Sequence, residues 1–358
     1  MINRAVIISI NNTKSPSTGG EYVFKVIKDV LMQKFVVHEL SIPVMIKKWI
    51  KDDKNEFLKN SFGVWLHLYS FLRSLYERKK RKTIVVTSCS PIFPVFGHII
   101  YHQPKAGLCE PFYRPYLPFK LKVGFSLHEN EEFSPLWLLA KRSYALHLSN
   151  SFYTRDLIKR LYGLDSLVLY PPVRIPPFCK SDFTKSRKLS LIIVKPKAVN
   201  GIMFLPEFVK FVPKNFPILI VGDADFLGFK VMEHLKKCGW NINYLGRVSE
   251  EAKLKLFGSA SHYLHLGLNE TFGITIVEAM AKGCIPVVPK SGAIPEFVPS
   301  ILFYSDMEEA AQKIMSNVGD SCNFKKEIRK IAERFREGIF REKFTFYLDI
   351  FERNYNVD

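Results

Sequence analysis

With 358 residues, 47% of them hydrophobic, the chain is long enough to bury more than one core, and 52 Lys and Arg against 34 Asp and Glu leave a net charge of +18. Two domains are therefore expected, and the charge points to an anionic partner: nucleic acid, anionic lipid or a phosphorylated ligand. Six cysteines with no CxxC pair and no clustered His/Cys spacing argue against a structural zinc site and fit a reducing compartment. The first apolar run is too short for a secretory signal, and no window approaches the roughly 20 apolar residues of a membrane span. A cytoplasmic protein, peripheral at a membrane, is the expectation.

The β-branched run at 4–10 reads as a buried strand, and apolar spacing through Val23, Val26, Ile27, Val30 and Leu31 as a helix, with Gly19 and Gly20 forming a glycine loop between them. Such a pair admits a phosphate or sugar close to the backbone, although it lacks the spacing of a dinucleotide fingerprint or a P-loop and is equally an ordinary turn. FVVHEL, TIVVTS and GHIIYH follow as strands with helices between them, an alternation that predicts a doubly wound parallel sheet. His102 ends the third of these, just before Pro104, at the sheet edge where ligands bind; it is either a structural hydrogen-bonder or a group facing the ligand. Two stretches, 61–82 and 110–125, mix aromatic and basic residues in the way of a lipid-headgroup interface, and the first also fits an amphipathic core helix with a solvated basic end. No RNP-like or helix-turn-helix pattern supports a nucleic-acid partner.

YALHLSNS, SFYTRDLIKRLYG and SLVLYPPV give strand, helix and strand, and Pro171, Pro172, Pro176 and Pro177 then lead into a polar basic segment that reads as a stiff linker. The alternation restarts beyond it: strands at LSLIIVK, PILIVGDAD, INYLGRV and HYLHLGL, with helices over 203–212, around 229–238 and over 250–260. Asp223 and Asp225 fit a surface turn or, alternatively, a divalent-cation site with an incomplete shell.

NETFGITIVEAMA, residues 269–281, is the centre of the sequence. Gly273 precedes a helical run ending at Lys282 and Gly283, then the buried strand CIPVVP. The first amides of that helix, around Gly273, Ile274 and Thr275, have no intrahelical acceptor, and the aligned dipoles put partial positive charge there, so an anion such as phosphate is stabilised. Glu270 just outside the helix and Glu278 about one turn inside it can accept hydrogen bonds from hydroxyls on either side of that phosphate. Hydroxyl, phosphate, hydroxyl is the layout of a nucleotide sugar. An ordinary amphipathic helix with two solvated glutamates has the same spacing.

The run from INYLGRV through NETFGITIVEAMAKGCIPVVPKSGAIPEFV resembles the nucleotide-sugar half of retaining GT-B glycosyltransferases. LHLGLNETFGI, YHQP and LSNSFYTRDLIKRLYG with YPPV are more similar to the mannosyltransferases that build dolichol-linked oligosaccharides on the cytosolic membrane face. The resemblance implies two Rossmann-like doubly wound α/β domains facing each other across a cleft: 1–175 for the acceptor, 187–338 for the donor, and a C-terminal helix at 339–358 packing back on the first domain. It implies a metal-independent retaining hexosyltransferase without cofactor, taking a GDP- or UDP-linked sugar, mannose first, to a lipid-linked or other glycan acceptor. Glu270 would contact the donor sugar, Glu278 the ribose, the backbone from Phe272 through Gly273 and Ile274 to Thr275 the sugar and diphosphate, His102 the donor sugar, and Gly19 and Gly20 the phosphates. Where the family usually places an arginine and a lysine to neutralise the leaving diphosphate, this chain has Lys195 and Asn200, with Lys197 between them, so point charges replace a bidentate fork. A catalytically weak sugar-nucleotide-binding scaffold of the same fold is the alternative.

Overall fold

The computed structural model describes residues 4–8, 19–40, 76–77, 83–88, 98–103, 146–180, 183 and 187–354. The two aromatic and basic stretches lie outside the described residues, except for Tyr76 and Glu77 in the first. Among the described residues, those up to Pro172 together with Glu337 onward form one compact unit, and Val173–Arg336 the other.

The first unit contains β1 (Arg4–Ile8), α1 (Gly19–Leu31), β2 (Val36–Leu40), β3 (Thr83–Ser88), β4 (Ile99–His102), β5 (Leu146–Ser149), α2 (Phe152–Tyr162) and β6 (Leu167–Val168). Its strands are all parallel in the order β2-β1-β3-β4-β5-β6. β1 and β3 read as unbroken apolar runs because they are interior strands: Ala5, Val6, Ile7, Ile84, Val85 and Val86 are fully buried. Gly19 and Gly20 are the first two residues of α1 rather than a separate loop. Neither has a positive φ, and helix N-termini tolerate glycine. The apolar face of α1 joins Tyr101 and Leu148 in one core with Phe340, Phe344, Leu348 and Phe351, which come from the last helix, Glu337–Asn354.

The second unit runs through β7 (Leu191–Val194), α3 (Leu205–Phe208), β8 (Ile218–Val221), α4 (Phe226–Lys237), β9 (Ile242–Tyr244), α5 (Glu250–Ser259), β10 (His262–Leu264), α6 (Ile274–Ala281), β11 (Ile285–Pro289), β12 (Phe303–Tyr304), α7 (Met307–Met315) and α8 (Cys322–Glu333); the last helix is α9. The parallel order β12-β11-β10-β7-β8-β9 is that of a dinucleotide-binding sheet. Its direction of winding reverses between β7 and β10, so the crevice beyond the C-terminal ends of those two strands is where a ligand is favoured.

Two local expectations change. The helix expected over 203–212 is a single α-turn, α3, between 3-10 turns at Ile202–Phe204 and Val209–Phe211. Pro206 has no amide to donate, and Gly201 begins the segment in the left-handed region with φ 78°. The stretch after IPVVP, where the sequence reading names no strand, contributes β12, a two-residue strand paired with Val288 and Pro289, too short to show a period. The proline-rich stretch is fastened to the second unit: Val173 N–H donates to Phe335 O at 2.8 Å, and Arg329 Nη2 donates to Pro176 O at 2.7 Å.

Candidate active site

At the winding reversal of the second sheet, β7 delivers Lys195 and β10 delivers His265. Lys195 has φ 58°, its amide continues the ladder to Val221 O at 2.8 Å, and its carbonyl accepts from Lys197 N–H at 2.8 Å across Pro196. Three glycines let neighbouring backbone close on this turn. A Cβ on Gly222 would lie 3.1 Å from Lys195 N, one on Gly228 2.0 Å from Pro196 O, and one on Gly201 2.2 Å from Leu266 O. Asp225 ties the turn down: one carboxylate oxygen caps α4 at Gly228 N and the other accepts from Ala198 N, 2.9 and 2.8 Å. The aspartate pair is accordingly a turn and cap, and among the described residues no group of three His, Cys, Asp or Glu could hold a metal ion.

Gly273 opens α6 with φ 94° and ψ 53°, and a Cβ there would meet Ile276 Cδ1 at 2.8 Å and Glu270 Cγ at 3.3 Å. Its carbonyl takes the amides of Ile276 and Val277, at 2.9 and 3.3 Å, which leaves the Ile274 and Thr275 amides without an intrahelical acceptor. No side chain caps this end, so its partial positive charge is open to an anion. The Phe272 ring turns the other way, into a cluster with Phe297 and Phe335 at 5.3 and 5.1 Å, and only its backbone reaches the turn.

Glu270 stands on a braced loop. Its carbonyl accepts from Ala293 N–H at 2.8 Å, Ser291 Oγ accepts from Asn269 N–H at 2.8 Å, and Gly292 is so close that a Cβ would lie 2.3 Å from Glu270 O. The Glu270 side chain keeps 23% exposure, and one carboxylate oxygen is 3.7 Å from His265 Nε2. Glu278, by contrast, is 3% exposed and lies 2.8 Å from Lys253 Nζ of α5, which also pairs with Glu250 at 2.8 Å. Burial raises the Glu278 pKa above the usual carboxylate value, and the ammonium groups of Lys253 and, more weakly, Lys195 pull it back. Lys195 also helps to lower the pKa of His265, behind the larger effect of burial and against Glu270, so its charge is felt on both sides of the site.

The structure thus brings Lys195, Asn200, Glu270, Phe272, Gly273, Ile274, Thr275 and Glu278 to one sheet edge, with the Asn200 backbone against Gly267. Lys197 shares the Lys195 turn, and its carbonyl accepts from Asn200 N–H at 2.9 Å. In the first unit, His102 is buried at the end of β4, its Nε2 2.9 Å from Nδ1 of His147, the two rings stacked at 5.1 Å. Burial, and secondarily its neighbour, pushes His102 down to about 3, and burial pushes His147 down to about 4, so the pair is neutral. Gly20 packs on the side chain of Gln103, next to His102, which joins the glycine pair to YHQP. Sequence reading missed Lys253, His147, Tyr263 and His265. The alternation of HYLH puts Tyr263 and His265 on one face of β10, a signal that was available.

The family model for glycosyl transferases group 1 matches residues 204–334. The chain is 25% identical over 248 residues to a GDP-Man:Man(3)GlcNAc(2)-PP-Dol alpha-1,2-mannosyltransferase of Dictyostelium discoideum, covering 60% of this chain and 49% of that protein. It is 24% identical over 147 residues to the tRNA-queuosine alpha-mannosyltransferase of Drosophila melanogaster, covering 39% of this chain and 38% of that one. The matches thus span about half or less of those relatives. Among solved structures, WaaG, a glycosyltransferase involved in lipopolysaccharide biosynthesis, superposes with a TM-score of 0.63 at 12% identity, covering 94% of this chain and 98% of that one. Anabaena Alr3699/HepE in complex with UDP gives 0.61 at 15% identity, covering 97% and 99%. The fold is GT-B, as the sequence resemblance implied.

Proposed function

We propose that this chain, which has the GT-B fold and matches the glycosyl transferases group 1 model over residues 204–334, moves a hexose, mannose first, from a nucleoside-diphosphate sugar to a lipid-linked or other glycan acceptor with retention at the anomeric carbon. One observation carries this reading: the uncapped amides of α6, the Glu270 carboxylate and Lys195 meet at the winding reversal of a dinucleotide-type sheet. GDP-mannose is the first donor to try, as the Dictyostelium relative's name specifies GDP-Man. UDP sugars come second, since the Anabaena neighbour was captured with UDP.

In this reading the diphosphate lies against the Ile274 and Thr275 amides, with Lys195 and Lys197 facing its charge. Glu270 accepts from sugar hydroxyls and Glu278 from the ribose. Gly19, Gly20 and His102 keep the phosphate and sugar roles that the resemblance assigns to them. The acceptor hydroxyl forms its bond to the anomeric carbon on the face from which the diphosphate oxygen departs, and that oxygen takes the hydroxyl proton. Charge developing on the departing diphosphate is what the preorganised amides and ammonium groups stabilise, which is where such a site lowers its barrier, and no metal is given a part. The net charge of +18 supports work at an anionic membrane surface. Among the described residues no helix is long and apolar enough to cross a membrane.

The test is a thermal-shift panel of GDP-mannose, UDP-glucose, UDP-GlcNAc, GDP and UDP, followed by product analysis for the stabilising donor, because a ligand of the folded state raises the melting temperature by mass action. Glu270→Ala is expected to abolish turnover and keep nucleotide binding. No stabilisation by any of the five overturns the donor site. Stabilisation without hydrolysis or transfer selects the inactive binder, a reading favoured by Asn200 standing where the family has a lysine.

A further inference from the structure

His265 is held more firmly than a core histidine requires. Its amide donates to Val287 O at 3.0 Å, its carbonyl accepts from Tyr304 Oη at 2.7 Å, and its Nδ1 lies 2.9 Å from Tyr263 Oη. Its Nε2 is buried with no hydrogen-bond partner among the described residues, and the carboxylate of Glu270 lies 3.7 Å away. Buried polar nitrogens are rarely left open without a reason. Space is kept for this one: a Cβ on Gly267 would come within 3.3 Å of Nε2.

The tautomer follows from the neighbours. Tyr263 is fully buried, its phenol held protonated by the desolvation that raises its pKa well above the usual value, so it is available as the donor to Nδ1. With the Glu270 carboxylate beside Nε2, the favoured tautomer then carries its proton on Nε2. The opposite tautomer would aim a lone pair at the carboxylate. Burial keeps the ring neutral against the pull of Glu270. What faces Glu270 is therefore a fixed N–H dipole with no charge of its own.

We propose that His265 is a positioning residue: Nε2–H closes onto one Glu270 oxygen when the donor binds, and leaves the other oxygen aimed at the sugar hydroxyls. Glu270 is partly exposed and able to rotate through the short distance to the usual hydrogen-bond range of about 2.7–3.2 Å. Catalytic contacts are often long before substrate arrives. The inference rests on the reading of Glu270 as the carboxylate that meets the sugar.

The experiment compares wild type, His265→Leu, His265→Gln, Tyr263→Phe and Glu270→Ala in GDP-mannose and UDP-glucose turnover, in GDP and UDP affinity, and in melting temperature. His265→Leu is expected to lower kcat by roughly 10- to 100-fold, as loss of an orienting partner does elsewhere, with unchanged nucleotide affinity. His265→Gln, whose amide nitrogen reaches the same point, should recover most of the loss, and Tyr263→Phe should fall between. Imidazole 15N shifts of the wild-type protein should show a proton on Nε2, a readout that stands even if a variant misfolds. A proton on Nδ1, or equal losses for folded His265→Leu and His265→Gln, or full kcat in His265→Leu, overturns the positioning role. Full turnover in Glu270→Ala overturns the donor-site reading itself, whatever the histidine variants do.

Discussion

The Lys253 ammonium lies 2.8 Å from a Glu278 carboxylate oxygen at a point where the glutamate is 3% exposed. A carboxylate this deep cannot rely on water, so the lysine on the neighbouring helix is what opposes the rise in its pKa that burial causes.

Lys253→Met should therefore be strongly destabilising, by about 3–5 kcal/mol near neutral pH, because it strands a buried charge. Relieved of the lysine, Glu278 has a folded pKa raised still further above its unfolded value. The folded state then binds more protons than the unfolded one, and stability falls as pH rises. The variant should approach wild type near pH 4, by urea midpoint, and diverge as pH rises to about 7.5. A Lys253→Met, Glu278→Leu pair should regain most of the loss.

Gly273→Ala combines a backbone penalty with a local collision. A φ of 94° costs a non-glycine residue about 1–2 kcal/mol, and the new methyl would meet Ile276 Cδ1 at 2.8 Å and Glu270 Cγ at 3.3 Å. The expected result is a folded protein with lower urea stability and a disproportionate loss of turnover, since the displaced groups are Glu270 and the first turn of α6. Turnover preserved alongside lowered stability would confine the glycine to a folding role.

Lys195 holds φ 58° in a turn braced by three glycines, so its backbone and its charge can be tested separately. Lys195→Gly removes the charge and relaxes the strain, and should not lower the melting temperature. Nucleoside-diphosphate affinity should fall about 10- to 100-fold, the size of a lost charged hydrogen bond of about 1.5–3 kcal/mol. Lys195→Arg should retain affinity. Unchanged GDP and UDP binding in Lys195→Gly would move the diphosphate contact to Lys197.

Three buried histidines give the protein a pH dependence above the carboxylate range. His102 is lowered to about 3, His147 to about 4 and His262 to about 4, burial being the largest cause in each. The unfolded chain binds protons at these rings below about pH 6.5 while the folded chain does not, so stability rises with pH across the window from about 4 to 6.5. Each contributes about 2 kcal/mol of loss on going from pH 7.5 to pH 5, less for His102 and His147 together because they share one contact. A urea midpoint at pH 5 equal to that at pH 7.5 would contradict the buried neutral rings.

The strands β7, β8, β10 and β11 were legible because interior parallel strands are apolar on both faces, and α6 because a glycine precedes a helical run that ends in another glycine. Glu270 and Glu278 were legible as a pair by spacing. Their difference was not: one is partly exposed on a braced loop and the other is sealed against Lys253, and burial is a property of what other segments lay over a residue. The 203–212 region was misread as one helix because its apolar residues keep helical spacing across Pro206. β12 escaped because two residues carry no period.

By itself the sequence determined two α/β units, the glycine-led start of α6 and the resemblance to GT-B glycosyltransferases, since each is written in residues close together along the chain. Only the tertiary structure decided that the second sheet reverses its winding between β7 and β10, that Lys195 reaches the same edge as Glu270, and that the Tyr263 hydroxyl lies against His265 Nδ1. Strand order and hydrogen-bond partners depend on which distant segments pack together, and that depends on shape complementarity across the whole core rather than on any local run of residues.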